Sequence, residues 1–365
     1  MKISNKILFS RLVKNNKLLK KDIIENLAKD SFIFGKNLSL FENNLTRFLN
    51  ISYAAGVANG TDAIYLSLIS AGLKAGDKVG LTSSAAYYSS LALNRIGAIP
   101  IYFDISLSNY QLSLDELEKL KSGNVKFLIL THLFGYLSND IFQIVEFCKK
   151  NNIIIIEDCA QSFGSKYKNK YAGTFGNVSA FSFYPTKNLG GIGDGGAVVT
   201  NEKKIHDKII MLRQYGWGKK YYIDIENGIN SRMDTIQAIY LNKKLKKFKK
   251  IQRYKLKNFS LLNKLITNQR IIKPVIPRDG SFSCHQFVVK IYQNRNSFIN
   301  HLSENGIESN ILYPILDYQQ KVSKVAGKLK NSEILKKSVL ALPINSESKE
   351  NEIKYISNII NKWKI

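Results

Sequence analysis

The sequence predicts an α/β protein whose main sheet is mostly parallel and covered by helices on both faces. Three observations predict this class. Strand-like and helix-like segments alternate from about residue 50, most strand-like segments are continuous apolar runs, and hydrophobic residues make up 44% of the 365 residues. A chain of this length and composition can bury one large core and a smaller second one.

The predicted elements of the first part of the chain follow one another in a regular order. Strands are predicted over residues 78–82, 99–104, 125–131, 153–158, 179–184 and 196–200. Helices are predicted between them, over residues 61–71, 89–97, 114–121, 141–151 and 202–215. Continuous apolar strands of this kind are typical of a doubly wound sheet that is buried on both faces.

A long helix over about residues 233–264 is predicted to leave this domain. After it the pattern becomes α+β, with a strand at 284–291, a helix at 295–305, extended chain at 306–312 and a final helix near 350–364. We therefore expect a large domain of residues 1–250 and a small C-terminal domain of residues 251–365, divided within or just after the long helix.

The formal net charge of +26 raises the question of a nucleic-acid partner. The densest basic stretch lies in the long predicted helix and comprises Lys243, Lys244, Lys246, Lys247, Lys249, Lys250, Arg253, Lys255 and Lys257. Apolar Leu241, Leu245 and Phe248 recur there at helical spacing, as do Ile251 and Leu256, so the basic residues are expected to form the solvated face of an amphipathic helix. Binding to nucleic acid, to an anionic substrate or to an anionic membrane surface is the alternative. No zinc-ligand spacing, aromatic RNA-binding motif or helix-turn-helix pattern supports nucleic acid as a partner.

The cysteines and the apolar segments indicate the compartment. Cys148, Cys159 and Cys284 are odd in number and widely spaced, which argues against a disulfide framework and for a reducing environment. The apolar stretch within residues 1–11 is too short for a signal peptide, and no apolar run approaches the roughly 20 residues that span a bilayer. A soluble, cytoplasmic protein without an integral membrane segment is expected.

Lys187 is the most informative residue for chemistry. It stands between a half-apolar strand that ends at Pro185 and a glycine-dense loop over residues 190–196. Asp158, at the end of an isoleucine-rich strand, precedes it. A reactive lysine amine, together with a buried carboxylate that can hold a pyridine nitrogen protonated, is what pyridoxal phosphate (PLP) chemistry needs. The sequence therefore indicates a PLP enzyme with Lys187 and Asp158 as catalytic residues and no metal.

Several spaced motifs resemble the PLP-dependent sugar aminotransferases often called the DegT/DnrJ/EryC1/StrS family. The matching runs are EDCAQSFG at 157–164, GTFG at 173–176, FSFYPTKNLG at 181–190 and GINSRMDTIQA at 228–238. Weaker matches extend the resemblance over about residues 30–360. It implies the aspartate aminotransferase fold, PLP fold type I, with a large doubly wound domain and a smaller α+β C-terminal domain.

The resemblance also implies cofactor-binding roles. Gly60 and Thr61, where a predicted helix begins, and Ser182 match family residues that bind the cofactor phosphate. Gln161 matches a glutamine that contacts the phenolic oxygen of the ring. Asn230 matches an asparagine that reaches across a homodimer interface to the partner's cofactor phosphate.

Ordinary structural roles remain open for some of these residues. Gly60 and Thr61 also fit a simple helix N-terminus, and Ser182 fits a polar outward residue of a strand. Asp158 could cap a turn, and Asn230 could cap the long helix.

On the substrate side, Tyr184 is a candidate, although an aromatic residue in a strand also fits the core, and the resemblance points to Tyr313. Two departures from the family pattern stand out. Leu312 occupies a position where relatives often have histidine, and an alanine occupies the position of the aromatic residue that stacks on the PLP ring. Tyr87 or Tyr88 could supply that ring instead.

The function implied by the resemblance is transfer of the amino group of glutamate to a nucleotide-linked keto-6-deoxysugar, with dTDP-3-keto-6-deoxyhexose as the acceptor. The enzyme would be a homodimer with shared active sites, and its product would enter a lipopolysaccharide O-antigen or a glycosylated metabolite. Amination at C4 is the alternative, and a non-catalytic PLP-fold binding or regulatory protein is another. The family also contains sugar dehydratases that carry histidine in place of the lysine, so Lys187 argues against that activity.

Overall fold

A seven-stranded sheet forms the centre of the larger part of the molecule. The computed structural model describes residues 6–9, 23–277, 279–323, 325 and 327–364. The strands of this sheet are β1 (Tyr53–Val57), β2 (Lys78–Thr82), β3 (Ile99–Phe103), β4 (Phe127–Thr131), β5 (Ile154–Asp158), β6 (Val178–Ser182) and β7 (Gly196–Thr200). They lie in the order β1-β7-β6-β5-β4-β2-β3. Strand β7 runs antiparallel to both of its neighbours, and the other adjacent pairs are parallel.

This mostly parallel sheet confirms the predicted fold class. The predicted strands at 78–82 and 196–200 have the observed bounds, and the other four differ by one or two residues at an end. Strand β1 was not predicted, because its sequence is Tyr-Ala-Ala-Gly-Val and both alanine and glycine have low strand propensity. Its burial and its pairing with β7 make it a strand in spite of that composition.

Helices cover the sheet and continue into the C-terminal part. They are α1 (Lys36–Leu49), α2 (Gly60–Ser70), α3 (Tyr88–Ile96), α4 (Leu117–Ser122), α5 (Ile141–Lys150), α6 (Lys203–Leu212), α7 (Thr235–Leu265), α8 (Arg295–Glu304), α9 (Lys330–Ser338) and α10 (Glu350–Lys362). A short 3-10 turn, Leu114–Glu116, precedes α4, so the predicted helix at 114–121 is divided in two. Helices α1 and α9 were not predicted.

Helix α1 follows from its apolar spacing. Leu38, Phe41, Leu45 and Leu49 recur three or four residues apart and are all buried, so they form one face of the helix. This face packs against β1 and the long helix α7. The chain leaves α1 through Asn50, which adopts the left-handed conformation that asparagine tolerates at a helix end.

Helix α7 contributes to two hydrophobic cores. Leu241, Leu245 and Phe248 are buried, as the helical spacing predicts, and they belong to the core beside the sheet. Phe259 and Leu262, further along the same helix, belong to a second core made mainly of C-terminal residues. The helix therefore links the two cores without interruption, and the predicted division at residue 250 stays a prediction.

The basic face of α7 differs in part from the predicted one. The exposed lysines include Lys246, Lys247, Lys249 and Lys250, as expected for a solvated face. Lys244 and Lys255 instead turn their amines inward, to Gly190 O and to Asn188 and His285. Leu256 lies on the outside, with 37% of its surface exposed. Two of the predicted solvent-facing lysines are thus part of the packed interior.

The C-terminal part is built around an antiparallel pair, β8 (Phe287–Lys290) and β9 (Val339–Leu342). Extended chain that lies between the two strands in sequence joins the same pair, since Asn310 forms a bridge with Ala341. Helices α8 and α10 bury Phe298 and Ile356 in the second core. This agrees with the predicted succession of strand, helix, extended chain and final helix.

All three cysteines are buried and unpaired, as their number and spacing indicate. Among the residues that the structure describes, no helix combines the length and the apolar character that crossing a membrane requires.

Candidate active site

The carboxyl ends of β5 and β6 bring Asp158 and Lys187 together. Asp158 is the last residue of β5 and is 8% exposed, and Lys187 follows β6 by five residues. Ligands of open α/β sheets bind at this edge, where the carboxyl ends of parallel strands meet. A turn holds the lysine loop, in which the Lys187 N–H donates to Tyr184 O (2.8 Å).

The charges of these two side chains influence each other. Burial raises the pKa of Asp158, while the backbone N–H of Ala160, which donates to Asp158 Oδ1 (3.1 Å), and the Lys187 ammonium oppose this rise. Burial lowers the pKa of Lys187, and the Asp158 carboxylate opposes that fall. A lysine amine with a lowered pKa is a better nucleophile at neutral pH, because more of it is unprotonated.

The start of α2 packs directly against the end of β6. A Cβ atom placed on Gly60 would lie 2.7 Å from Ser182 Cβ, so glycine is required for this approach. The Asn59 side chain caps the helix by accepting from the Asp62 N–H (2.8 Å). The N–H groups of Gly60 and Thr61 therefore remain as first-turn donors beside the Ser182 hydroxyl, which is the arrangement of an anion site.

Gln161 lies three residues after Asp158, and both the oxygen and the nitrogen of its side-chain amide form hydrogen bonds. Its Oε1 accepts from the Phe134 N–H (2.7 Å), and its Nε2 donates to the Tyr313 hydroxyl. The Tyr313 ring stacks on Phe134 with centroids 6.0 Å apart. One amide hydrogen of Gln161 is left for a further acceptor.

The other two sequence-predicted residues lie on the outside of this group. Strand β6 ends at Ser182, so Tyr184 lies beyond the strand rather than in it, with 50% of its surface exposed. Asn230 is exposed and forms an isolated bridge with Gln214. Its alternative role as a cap of the long helix is wrong, because α7 begins at Thr235.

The structure distinguishes Tyr87 from Tyr88. Tyr87 is buried, its hydroxyl accepts from Asn94 Nδ2 (2.9 Å), and its N–H donates to Asp317 Oδ1 (2.9 Å). Tyr88 is 57% exposed, and its hydroxyl is near enough to Tyr313 to add to the rise in the Tyr313 pKa that burial causes. Of the two, Tyr88 is therefore the one whose ring is accessible to a ligand.

Glu157, immediately before Asp158, belongs to a separate buried network. His132 Nε2 lies 2.8 Å from Glu157 Oε2, and the N–H groups of Gly173, Phe175 and Gly176 donate to the same carboxylate at 2.7–2.9 Å. Cys159 is close enough to complete a possible set of metal ligands. A carboxylate already occupied by three backbone donors is poorly available to a metal, so this group is best described as structural.

The sequence did not identify four residues around Lys187, namely Asn188, Lys255, Ser283 and His285. Asn188 lies inside a recognised motif, which was the only available signal. Lys255 was assigned to a solvated face, and His285 lay at the start of a predicted strand with nothing to connect it to residue 187. Their hydrogen bonds meet at the Asn188 side chain.

The fold and the buried lysine–aspartate pair define a site of the PLP-dependent transferase class. The model of the DegT/DnrJ/EryC1/StrS aminotransferase family matches residues 14–361. The chain belongs to this family, which includes nucleotide-sugar aminotransferases.

Relatives over the full length carry two kinds of name. A dTDP-3-amino-3,6-dideoxy-alpha-D-galactopyranose transaminase from Aneurinibacillus thermoaerophilus is 32% identical over 334 residues, 91% of this chain and 91% of that protein. A pleiotropic regulatory protein from Geobacillus stearothermophilus is 30% identical over 339 residues, 91% of this chain and 90% of that protein.

Solved structures agree with this assignment. The structure of DesV from S. venezuelae has a TM-score of 0.92 at 28% identity and covers 99% of both chains. The structure of NtdA from Bacillus subtilis, with the bound cofactor PMP, has a TM-score of 0.89 at 25% identity and covers 98% of this chain and 85% of that one. The predicted family, PLP fold type I and PLP as the cofactor of a sugar aminotransferase are confirmed.

Proposed function

We propose that this protein transfers the amino group of glutamate to a nucleotide-linked keto-6-deoxysugar, with dTDP-3-keto-6-deoxyhexose as the acceptor. The observation that carries the proposal is the buried pair of Lys187 and Asp158 at the carboxyl ends of adjacent strands. The name of the relative from Aneurinibacillus thermoaerophilus supports a dTDP-linked 3-amino sugar as the product.

The residues of the site fit PLP. Gly60, Thr61 and Ser182 would hold its phosphate, because Gly60 admits close approach and the helix start offers free N–H donors. Asp158 would face the ring nitrogen, and Gln161 would donate its remaining amide hydrogen to the phenolic oxygen. Bound PLP supplies an aldehyde for amines and a ring that withdraws electrons from the reacting carbon.

The protein's own groups then have defined tasks. The amine of Lys187, with its pKa lowered by burial, accepts the proton of the reacting carbon and returns it on the other side of the transfer. Asp158 holds a proton on the ring nitrogen while remaining a carboxylate itself. Tyr88 and Tyr184, which are 57% and 50% exposed, and the more buried Tyr313 would line the side on which the sugar stacks.

Two alternatives remain. Amination at C4 of the sugar would use the same residues, so the position of the new amine has to be measured. A non-catalytic regulatory role is favoured by the name of the relative from Geobacillus stearothermophilus. Retention of both Lys187 and Asp158 in one buried pair argues for catalysis, since a binding protein has no need of either.

The decisive experiment incubates the purified cytoplasmic enzyme with PLP, glutamate and a panel of 3-keto and 4-keto nucleotide sugars. We expect the visible band of lysine-bound PLP to bleach on addition of glutamate, and a 3-amino sugar to form, with the new amine located by NMR. A 4-amino product would replace the C3 assignment by the alternative. A band that glutamate does not bleach, with no amino sugar from any acceptor, would favour the regulatory role. An amino sugar would be a precursor of lipopolysaccharide O-antigen or of a glycosylated metabolite.

The proposed enzyme is a homodimer in which Asn230 reaches the partner's cofactor phosphate. Two features support this. Asn230 is exposed, and the nearby hairpin formed by Trp217–Lys219 and Tyr222–Ile223 exposes large apolar side chains. A hydrogen bond to a charged acceptor contributes roughly 1.5–3 kcal/mol, so Asn230→Ala should weaken PLP retention about tenfold or more.

Mixed dimers test whether this contact crosses the interface. Subunits with Asn230→Ala are mixed with subunits with Lys187→Ala, at limiting PLP and with subunit exchange verified. If Asn230 serves the partner, one site of the mixed dimer has both residues and activity reappears. Absence of complementation would show that Asn230 acts within its own chain or not at all.

A further inference from the structure

The side chain of Asn188, next to the reactive lysine, is saturated with hydrogen bonds. Its Nδ2 donates to Ser283 Oγ (2.7 Å), Ser283 O (3.2 Å) and Phe163 O (3.3 Å). Its Oδ1 accepts from Lys255 Nζ (3.0 Å) and lies 3.4 Å from His285 Nδ1. The amide thereby joins the loop of the reactive lysine to helix α7 and to the segment that precedes β8.

Lys255 is the cationic member of this network. Its Nζ donates to Asn188 Oδ1 and to His285 O (3.2 Å), and among the described residues no carboxylate lies within ion-pair distance of it. Burial lowers the pKa of Lys255 to about 8, with the Cys284 thiol opposing this fall and the Lys244 ammonium adding to it. Burying an ammonium against neutral oxygens is costly, so its retention here calls for a functional reason.

The backbone around His285 is strained in a way that holds the imidazole close. Cys284 has a φ of +55°, a left-handed conformation that costs a non-glycine residue of order 1–3 kcal/mol. Gly135, on which His285 packs, has no room for a side chain, since a Cβ there would lie 3.0 Å from His285 Cβ. Burial and the charges of Lys187 and Lys255 keep the pKa of His285 well below its ordinary value, so the ring beside Lys187 is neutral.

We propose that Lys255, which lies on the long helix α7, is a positioning residue that keeps the reactive amine of Lys187 next to Asp158. It acts through the two groups that it binds, the Asn188 amide next to Lys187 and the carbonyl of His285. If the ammonium were absent, Asn188 would lose its charged donor and the lysine loop would gain freedom. The Lys187 amine would then spend more time in water, where its pKa is higher.

This inference rests on the proposed function for its catalytic meaning, but its test needs neither PLP nor a sugar. The PLP-free protein is labelled with trace amounts of an isotope-coded acetylating reagent over a series of pH values. The acetylation of Lys187 is then quantified by mass spectrometry of its peptide. The midpoint of the labelling profile reports the pKa of that amine, which Asp158 and His285 face in the native protein.

Three variants are compared with the native chain. Lys255→Met removes the ammonium, Lys255→Arg retains a donor cation, and Lys290→Met serves as a control. Lys290 is a half-buried lysine that also has a lowered pKa and donates to a carbonyl, that of Leu107 (2.8 Å), but it belongs to the C-terminal strand pair. We expect the midpoint of Lys187 to rise by about one pH unit in Lys255→Met, which is a tenfold smaller neutral fraction near pH 7. The other two variants should remain within a factor of two.

The outcomes separate the two proposals. An unchanged Lys187 midpoint in folded Lys255→Met protein overturns the positioning role, whatever the enzyme does with sugars. If circular dichroism shows that Lys255→Met does not fold, Asn188→Ser removes the acceptor while leaving the ammonium bonded to His285 O. The same rise is then expected, and its absence is equally decisive. A shifted midpoint in a protein that aminates no sugar would sustain the positioning role and refute the proposed function.

Discussion

Glu157 and Asp158 end the same strand side by side, yet their pKa values move in opposite directions. Burial alone would raise the pKa of Glu157, but the hydrogen bond and charge of His132 and the backbone donors of residues 173–176 hold it below its ordinary value. Asp158 accepts one backbone N–H, from Ala160, and burial raises its pKa. Consecutive residues of a strand face opposite sides of the sheet, so each carboxylate meets a different environment.

The difference shows how the chain separates structural charge from reactive charge. The carboxylate of Glu157 already accepts hydrogen bonds from several fixed donors. It therefore stabilises the fold and has little capacity left to bind a ligand. The Asp158 side is deficient in donors and depends on the Lys187 ammonium as its compensating charge. Binding of a protonated ring nitrogen, as proposed for PLP, would supply the missing donor to Asp158.

Removing Lys187 should produce the largest effect. Lys187→Met takes away both the nucleophile and the proton carrier, so transamination should fall by several orders of magnitude and the visible band of lysine-bound PLP should vanish. The stability of the fold should change little by comparison. Single-turnover kinetics with glutamate and absorption spectra check this, and turnover at the native rate would show that the reactive side has been assigned to the wrong residue.

The Asp158→Asn substitution should show which effects of Asp158 depend on its charge, because asparagine has nearly the same shape but no charge. We expect proton loss from the α-carbon of glutamate to slow by about 10²–10³, comparable to the loss of one electrostatic contact in other active sites, while PLP occupancy falls much less. Because the folded pKa of Asp158 is raised, its ionised form costs stability at pH 7, so the PLP-free variant should be at least as stable as the native chain. Collapsed occupancy with a normal rate in the bound fraction would make Asp158 structural.

Glu157→Gln should have the opposite profile. The amide places an N–H group against backbone donors and deprives His132 of its charged partner, so unfolding free energy should fall by roughly 3–5 kcal/mol. The folded pKa of Glu157 is lowered, so its stabilising contribution is present at neutral pH and disappears as the pH falls through that pKa. Urea unfolding of the native chain and of the Glu157→Gln variant at pH 7 measures this. An equal loss of stability in Asp158→Asn would abolish the distinction between the two sides.

Asp317 is a third buried carboxylate and should give the smallest effect. It accepts from the Tyr87 N–H and the Ser90 hydroxyl, and burial raises its pKa to about 6. A raised folded pKa means a contribution that favours folding at low pH and declines as the pH rises through about 6. Between pH 5 and 7.5 the native chain should lose about 1.4 kcal/mol relative to Asp317→Asn, measured by urea unfolding of both. A difference in unfolding free energy that does not change with pH would mean that the Tyr87 and Ser90 donors fully compensate the buried charge of Asp317.

The sequence predicted those features that local pattern determines. Apolar runs located most strands of the sheet, and the placement of Asp158 and Lys187 at strand ends followed from them. The hydrogen-bond partners of the side chains in the site come from distant parts of the chain. No local sequence pattern predicts which carbonyl or hydroxyl group each of them contacts. Lys255 illustrates this, because on the helix alone it is one lysine in a basic run, and only the packed loop turns its amine inward.

The orientation of Tyr87 and Tyr88 is a second feature that the sequence could not predict. Ala86 and Tyr87 both adopt positive φ values, 60° and 65°, and at this left-handed turn Tyr87 is buried whereas Tyr88 is exposed. Neither residue type favours that conformation. Hydrogen bonds that join Asp317 to Tyr87 and to Ser83, made across more than 200 residues of sequence, impose it.

The order of the strands also has a consequence for synthesis of the chain on the ribosome. Strand β1, which leads directly into α2, lies at the edge of the described sheet and pairs there with β7, about 140 residues later in the chain. At a translation rate of 5–20 residues per second, β1 emerges roughly 7–30 seconds before its pairing partner exists. The proposed phosphate site at the start of α2 is therefore among the last features of the sheet region to form, because β7 must first insert between β1 and β6.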